Sequence, residues 1–145
     1  MNFHALIPIL QTAIGPVILI SGVGLLLLSM TNRFGRVIDR SRQLAESLRK
    51  TPEPQGGRLS AQLQILFRRA RLVRLAITLA TISVLLAALL IIALFLIALF
   101  QLELGLLITI LFIACLGSII ASLLVFLQDI NLSLVALKLE TDIKD

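Results

Sequence analysis

The chain has 145 residues, a formal charge of +5 and 59% hydrophobic residues, with a mean hydropathy of +1.06. A soluble domain of this size cannot bury that much apolar surface, so the composition places the chain in the integral membrane class. Eleven of the thirteen Lys and Arg lie from Arg33 to Arg74; charge concentrated in this way marks membrane topology rather than a nucleic-acid footprint. With seven Phe and neither Trp nor Tyr, the chain also lacks the stacking platform that single-strand binders need, and nucleic acid is excluded as a partner.

The first predicted element is a transmembrane helix over residues 7–30. No Lys or Arg stands among the first ten residues. A cleaved leader has a positive start ahead of a short apolar core, whereas here a neutral start leads into a long span and then into arginines. This order predicts an uncleaved anchor with its N-terminus outside. Pro8 and Pro16 fall in the first turns, where neighbouring groups can satisfy the freed carbonyls. His4, near the outer surface, reads as a solvated residue.

No proline follows Pro16 until Pro52, so the helix is expected to leave the bilayer and continue as one rod. From Asn32 to Lys50, Phe34, Val37, Ile38, Leu44 and Leu48 recur at helical spacing with arginines on the other faces. Thr51-Pro52-Glu53-Pro54-Gln55-Gly56-Gly57 breaks the helix and turns the chain. Leu59, Leu63, Leu66 and Phe67 then give a second amphipathic helix carrying Arg68, Arg69, Arg71 and Arg74. Residues 32–74 thus predict a long cytoplasmic antiparallel helical hairpin between the first and second spans. With its turn near Pro54, Asp39 falls opposite Arg68 and Arg69, and a hairpin salt bridge among these three is expected to set the register.

The second span, residues 75–100, would be about 39 Å long against a hydrocarbon core of roughly 30 Å, which predicts tilt or projection. Gln101-Leu102-Glu103-Leu104-Gly105 is a short outer turn that returns the third span, residues 106–127, antiparallel and adjacent. Ala114, Gly117, Ser118, Ala121 and Ser122 give that span a stripe of small residues suited to close helix contact. Cys115 reads as a small buried hydrophobe. Residues 128–145 predict a cytoplasmic C-terminal helix, with Leu132, Val135, Leu139 and Ile143 placed to pack on the hairpin. By the positive-inside rule the hairpin and the C-terminus are cytoplasmic. The fold class is therefore all-α integral membrane, in one membrane domain over residues 1–145.

Several of these stretches resemble an uncharacterised bacterial family of small three-helix membrane proteins, a domain-of-unknown-function family. They are Ile14-Gly15-Pro16-Val17, Ser21-Gly22-Val23-Gly24, the run from Asn32 to Arg42, and Arg68-Arg69-Ala70-Arg71-Leu72. The resemblance implies three spans in a bacterial inner membrane, plasma or thylakoid. It brings no activity, ligand or site residue.

Function is therefore read from the residues. There is no metal-ligand spacing, no nucleophile beside a base and no phosphate-cradling glycine loop, so neither an enzyme nor a cofactor is expected. Stepping along the first helix from Gln11 by four and three gives Gly15, Ile18, Gly22, Leu25, Ser29, Arg33, Arg36 and Arg40. That face is polar outside, small and aliphatic in mid-span, and basic inside. In a homo-oligomeric ring it would line an ion pathway, with Ile18 and Leu25 as a hydrophobic constriction and the arginines as a basic inner vestibule. The other reading is a non-conducting scaffold or adaptor whose basic hairpin binds anionic lipid headgroups or a protein partner. Gly15, Gly22 and Ser29 fit close helix packing equally well.

Overall fold

The computed structural model describes residues 3–50 and 56–144, with the side chains at 58, 59, 136 and 139–144 outside that description. Three helices make up the described residues, with no strand among them: α1 (Phe3–Lys50), α2 (Gly56–Phe100) and α3 (Gly105–Lys144). All three are long and apolar enough to cross a membrane. The breaking stretch from Thr51 to Gln55 lies outside the described residues, and α2 begins at Gly56.

The basic helix and the second span are one helix, and the third span runs on into the C-terminal segment. The reason lies in the sequence. No Gly or Pro stands between Gly57 and Gly105, or after Gly117, so nothing interrupts the ladder where hydropathy changes. α1 likewise passes through both Pro8 and Pro16.

The chain divides into two compact units. Unit 1 comprises Met1–Leu28 and Thr78–Ala121. Its buried positions are mostly small: Ala13, Val23, Ala80, Ser83, Ala87, Leu90 and Cys115. Ser118 Oγ donates to the Leu79 carbonyl at 2.6 Å, and Cys115 Sγ to the Ser83 carbonyl at 3.3 Å. These two pairs fix an antiparallel register between α2 and α3 in this unit. The turn joining them is built by its own backbone. Gln101 takes φ 52°, Leu102 N–H donates to the Ile97 carbonyl at 3.2 Å, and Gln101 Nε2 donates to the Ala98 carbonyl at 3.1 Å. Together these close the end of α2 in a Schellman-type cap. The Ile108 N–H to Leu104 carbonyl bond, 3.2 Å, then opens α3. Large apolar side chains such as Ile14, Leu85, Ile92 and Ile113 face outward, as a lipid solvent permits and water does not.

Unit 2 comprises Ser29–Ile77 and Ser122–Asp145. Val37 and Leu44 of α1 and Leu66 and Ala70 of α2 form one buried cluster, with Phe34, Ile38 and Leu63 packed against it. On α1 the seam is Val37, Ser41 and Leu44, spaced four and three. Ser41 is buried, and its hydroxyl donates back to the Val37 carbonyl at 2.8 Å, so it enters the seam without an unsatisfied group. From α3, Ser122 is buried and donates to the Ala76 carbonyl at 2.7 Å.

Candidate functional site

The seam around Val37 decides which α1 side chains face inward in unit 2. At about 100° per residue, Arg33, four residues earlier, lies only about 40° from Val37. Asp39, two residues later, lies about 200° away, on the far side of the helix. The structure follows this arithmetic: Arg33 is half-buried and Asp39 is exposed.

The acid that Arg33 meets comes from α3. Asp129 is fully buried. Arg33 Nε lies 2.5 Å from its Oδ2, and Arg69 Nε of α2 lies 3.4 Å from its Oδ1. One carboxylate thus ties together all three helices of unit 2. The Arg33 guanidinium also stands 5.6 Å from the centroid of Phe126, within cation–π range. A buried carboxylate is tolerated only when its lone pairs are taken up by positive donors, and two guanidiniums do that here. The expected Asp39–Arg68–Arg69 bridge is thus replaced at Arg69 by a pair with Asp129, because the free face of α2 there is turned to α3. Asp129 itself is missed by a reading that treats it as one acid of a polar tail. The signal is present nonetheless: an Asp stands just past the C-terminal end of one apolar run and an Arg just past that of another, and an acid so close to an apolar run needs a cation.

Above this pair lies a cleft of about 260 Å³ lined by Arg33, Arg36, Val37, Arg40, Leu66, Arg69 and Ser133. On the other side of the Phe34–Ile38 edge is a larger groove of about 650 Å³. Phe34, Ile38, Phe67 and Ala70 supply its apolar surface, and Gln64, Arg68, Arg71 and Arg74 its polar one. A third, of about 410 Å³, runs between Arg68 and Leu72 of α2 and Gln128, Asn131, Leu132 and Val135 of α3. Leu132 and Val135 therefore sit beside the α2 face, while Leu139 and Ile143 lie outside the described side chains.

The predicted pathway face separates into two parts. In unit 1, Gln11, Gly15, Ile18, Gly22 and Leu25 are exposed, Ile18 by 65% and Leu25 by 72%. No described atom comes within 4 Å of a Cβ added at Gly15 or Gly22, so close packing within the chain is not what these glycines serve. In unit 2, Ser29 is exposed, and Arg33, Arg36 and Arg40 line the cleft with Arg69. The small-residue stripe on α3 also resolves. Cys115, Ser118 and Ser122 are the positions that bond to α2, and nothing lies within 4 Å of a Cβ added at Gly117. Cys115 is buried as expected but is also a donor and partner of Ser83. Among the described residues, no group of three or more His, Cys, Asp or Glu is placed to hold a metal ion.

Three candidate spans in an all-helical chain, with arginines gathered around one buried acid, are the features of a multi-pass membrane protein. The chain belongs to the family described as protein of unknown function DUF2721, whose model matches residues 13–139. No curated protein matches the chain. No solved structure matches it either.

Proposed function

We propose that this protein is a non-conducting membrane scaffold whose arginine-bearing unit holds anionic phospholipid at the inner face of a bacterial inner membrane. The observation that carries this reading is the groove of about 650 Å³. Phe34, Ile38, Phe67 and Ala70 offer an apolar wall for the upper acyl chain, and Arg68 and Arg71 offer guanidiniums for the phosphate. Arg74, also at the groove, stands one residue before the second span, residues 75–100, which holds no charged residue. That is the depth at which a headgroup lies beside a spanning helix. Each Lys or Arg near an anionic leaflet adds about 1 kcal/mol of attraction. The same charge supports the orientation: the positive-inside rule puts residues 32–74 and the C-terminus in the cytoplasm and the N-terminus outside. The role is one of binding and anchoring, without a catalytic step or a cofactor.

Native mass spectrometry of the detergent-purified chain tests this. Anionic phospholipid should be retained by the natural chain and lost from the Arg68→Ala/Arg71→Ala double variant; equal retention contradicts the reading.

A second reading keeps the ion pathway, and a specific observation favours it. The row from Gln11 through Leu25 is exposed, and its glycines meet nothing in their own chain. In a closed ring of identical subunits that row would face the axis, with Ile18 and Leu25 forming a hydrophobic constriction. Against it, Arg33 is engaged by Asp129, and Arg36 and Arg40 line a cleft within one chain. Proteoliposome ion flux decides: conductance enhanced by Leu25→Ser supports a pathway, and electrical silence of both proteins removes it.

A further inference from the structure

The cleft above Asp129 differs in kind from the lipid groove. Its lining is four arginines, one serine and two aliphatic side chains, in about 260 Å³. Arg33, Arg36 and Arg69 stand against the single carboxylate of Asp129, so these four residues alone leave two positive charges in excess. That volume takes a compact anion and leaves little wall for an acyl chain.

The guanidiniums are also arranged. Arg33 and Arg69 both meet Asp129 through Nε. A guanidinium has five N–H donors in a fixed plane, so a partner at Nε orients the plane while donors remain for a second acceptor. Both residues line the cleft while so held. Arg36 and Ser133 add further donors from α1 and α3. Planar donor pairs on fixed axes match the tetrahedral oxygens of a phosphate, which accepts bidentate bonds from several sides.

The geometry points to a phosphate-binding site in this cleft, formed by Arg33, Arg36, Arg69 and Ser133, with Asp129 as the buried residue that positions two of its arginines. The phosphate is either a free anion or the headgroup of a lipid. The lipid arm rests on the scaffold reading above, and the free-anion arm is independent of it. Asp129 binds no phosphate itself. It holds Arg33 and Arg69 in the orientation that does.

The test uses the full chain in nanodiscs of purely zwitterionic lipid, titrated calorimetrically with inorganic phosphate and pyrophosphate at fixed ionic strength, so that screening stays constant. Saturable binding of one anion per chain is expected, weakened about tenfold or more by Arg36→Ala and by Arg36→Lys, since lysine keeps the charge but not the fork. Asp129→Asn separates positioning from bulk charge. It raises the excess charge, so a merely electrostatic cleft would bind tighter, whereas a positioned one binds weaker. Tighter binding by Asp129→Asn overturns the assignment. Without heat from free phosphate, the lipid arm is read by native mass spectrometry: anionic lipid lost on Arg36→Ala supports a headgroup source. Loss only on Arg68→Ala/Arg71→Ala leaves the groove standing and overturns the cleft, as does no binding in either arm.

Discussion

Arg33 and Asp129 meet at 2.5 Å although 96 positions separate them in the chain. The first helix is thereby tied to the third, and Arg69, on the same carboxylate, brings in the second. Asp129 is fully buried and its two arginines are mostly so, with side chains 25% and 15% exposed. Removing the acid therefore strands two cations that water reaches only in part. Asp129→Ala is expected to lower unfolding stability on the order of 3 kcal/mol, the range for breaking a buried pair. Arg33→Ala should cost more than Arg69→Ala, because it removes the shorter contact and the stacking on Phe126. Thermal unfolding in mild detergent gives the order.

The α2–α3 contacts rest on hydroxyls that bond to carbonyls of the neighbouring helix. Ser122→Ala and Ser118→Ala should each cost about 1 kcal/mol or less, the net worth of such a bond in an apolar setting. Ser122→Leu should cost more, about 1–3 kcal/mol, because the added atoms have no room beside Ala76. Denaturation of the purified variants would show this ranking, and equal effects of Ala and Leu would contradict it.

Much of this architecture was legible in the sequence, and the exceptions have physical causes. The three apolar helices, the rod from the first span into its basic continuation, and the tight turn at Gln101 follow from hydropathy and helix breakers. So does the hairpin seam of Val37, Leu44 and Leu66, because a spacing of three and four on each helix admits one inward face. Asp129 was not legible as a site. Hydropathy treats it as the edge of a tail, and only the rotation of three helices about one another shows which acid meets which arginine. Asp39 misleads for the converse reason: register fixes height along a helix and says nothing of the face, and Asp39 is exposed while Arg69 meets Asp129. The role of Cys115 as a hydrogen-bonding partner depends on Ser83 standing across from it, which one helix alone cannot reveal.

Cys115 provides a simple probe of unit 1. The thiol is buried and bonded to Ser83, so a maleimide should leave it unmodified in the folded chain and react fully after denaturation in dodecyl sulfate. Cys115→Ser should fold normally, since a hydroxyl preserves the donor. Rapid labelling of the folded chain would show that this face of α3 is open rather than packed on α2.

Gly22 distinguishes a single chain from a ring. An added side chain there meets nothing in its own chain, so Gly22→Leu should leave the stability of an isolated subunit unchanged. If copies pack along this row, the same change should shift the oligomer to smaller mass, as read by light scattering in detergent. An unchanged mass would mean that the row faces lipid, and the ion-pathway reading would then fall.

Selection of anionic lipid by unit 2, proposed for the groove lined by Phe67 and Arg68, can be read optically. The chain has no Trp or Tyr, so Phe67→Trp places a sole indole reporter on an exposed edge of that groove. The decisive measurement is quenching of this indole by acyl-brominated lipid, comparing anionic with zwitterionic headgroups at equal mole fraction. Stronger quenching by the anionic lipid is expected, with the preference abolished when Arg68 and Arg71 are both alanine. Equal quenching by the two lipids in the otherwise natural chain would contradict it.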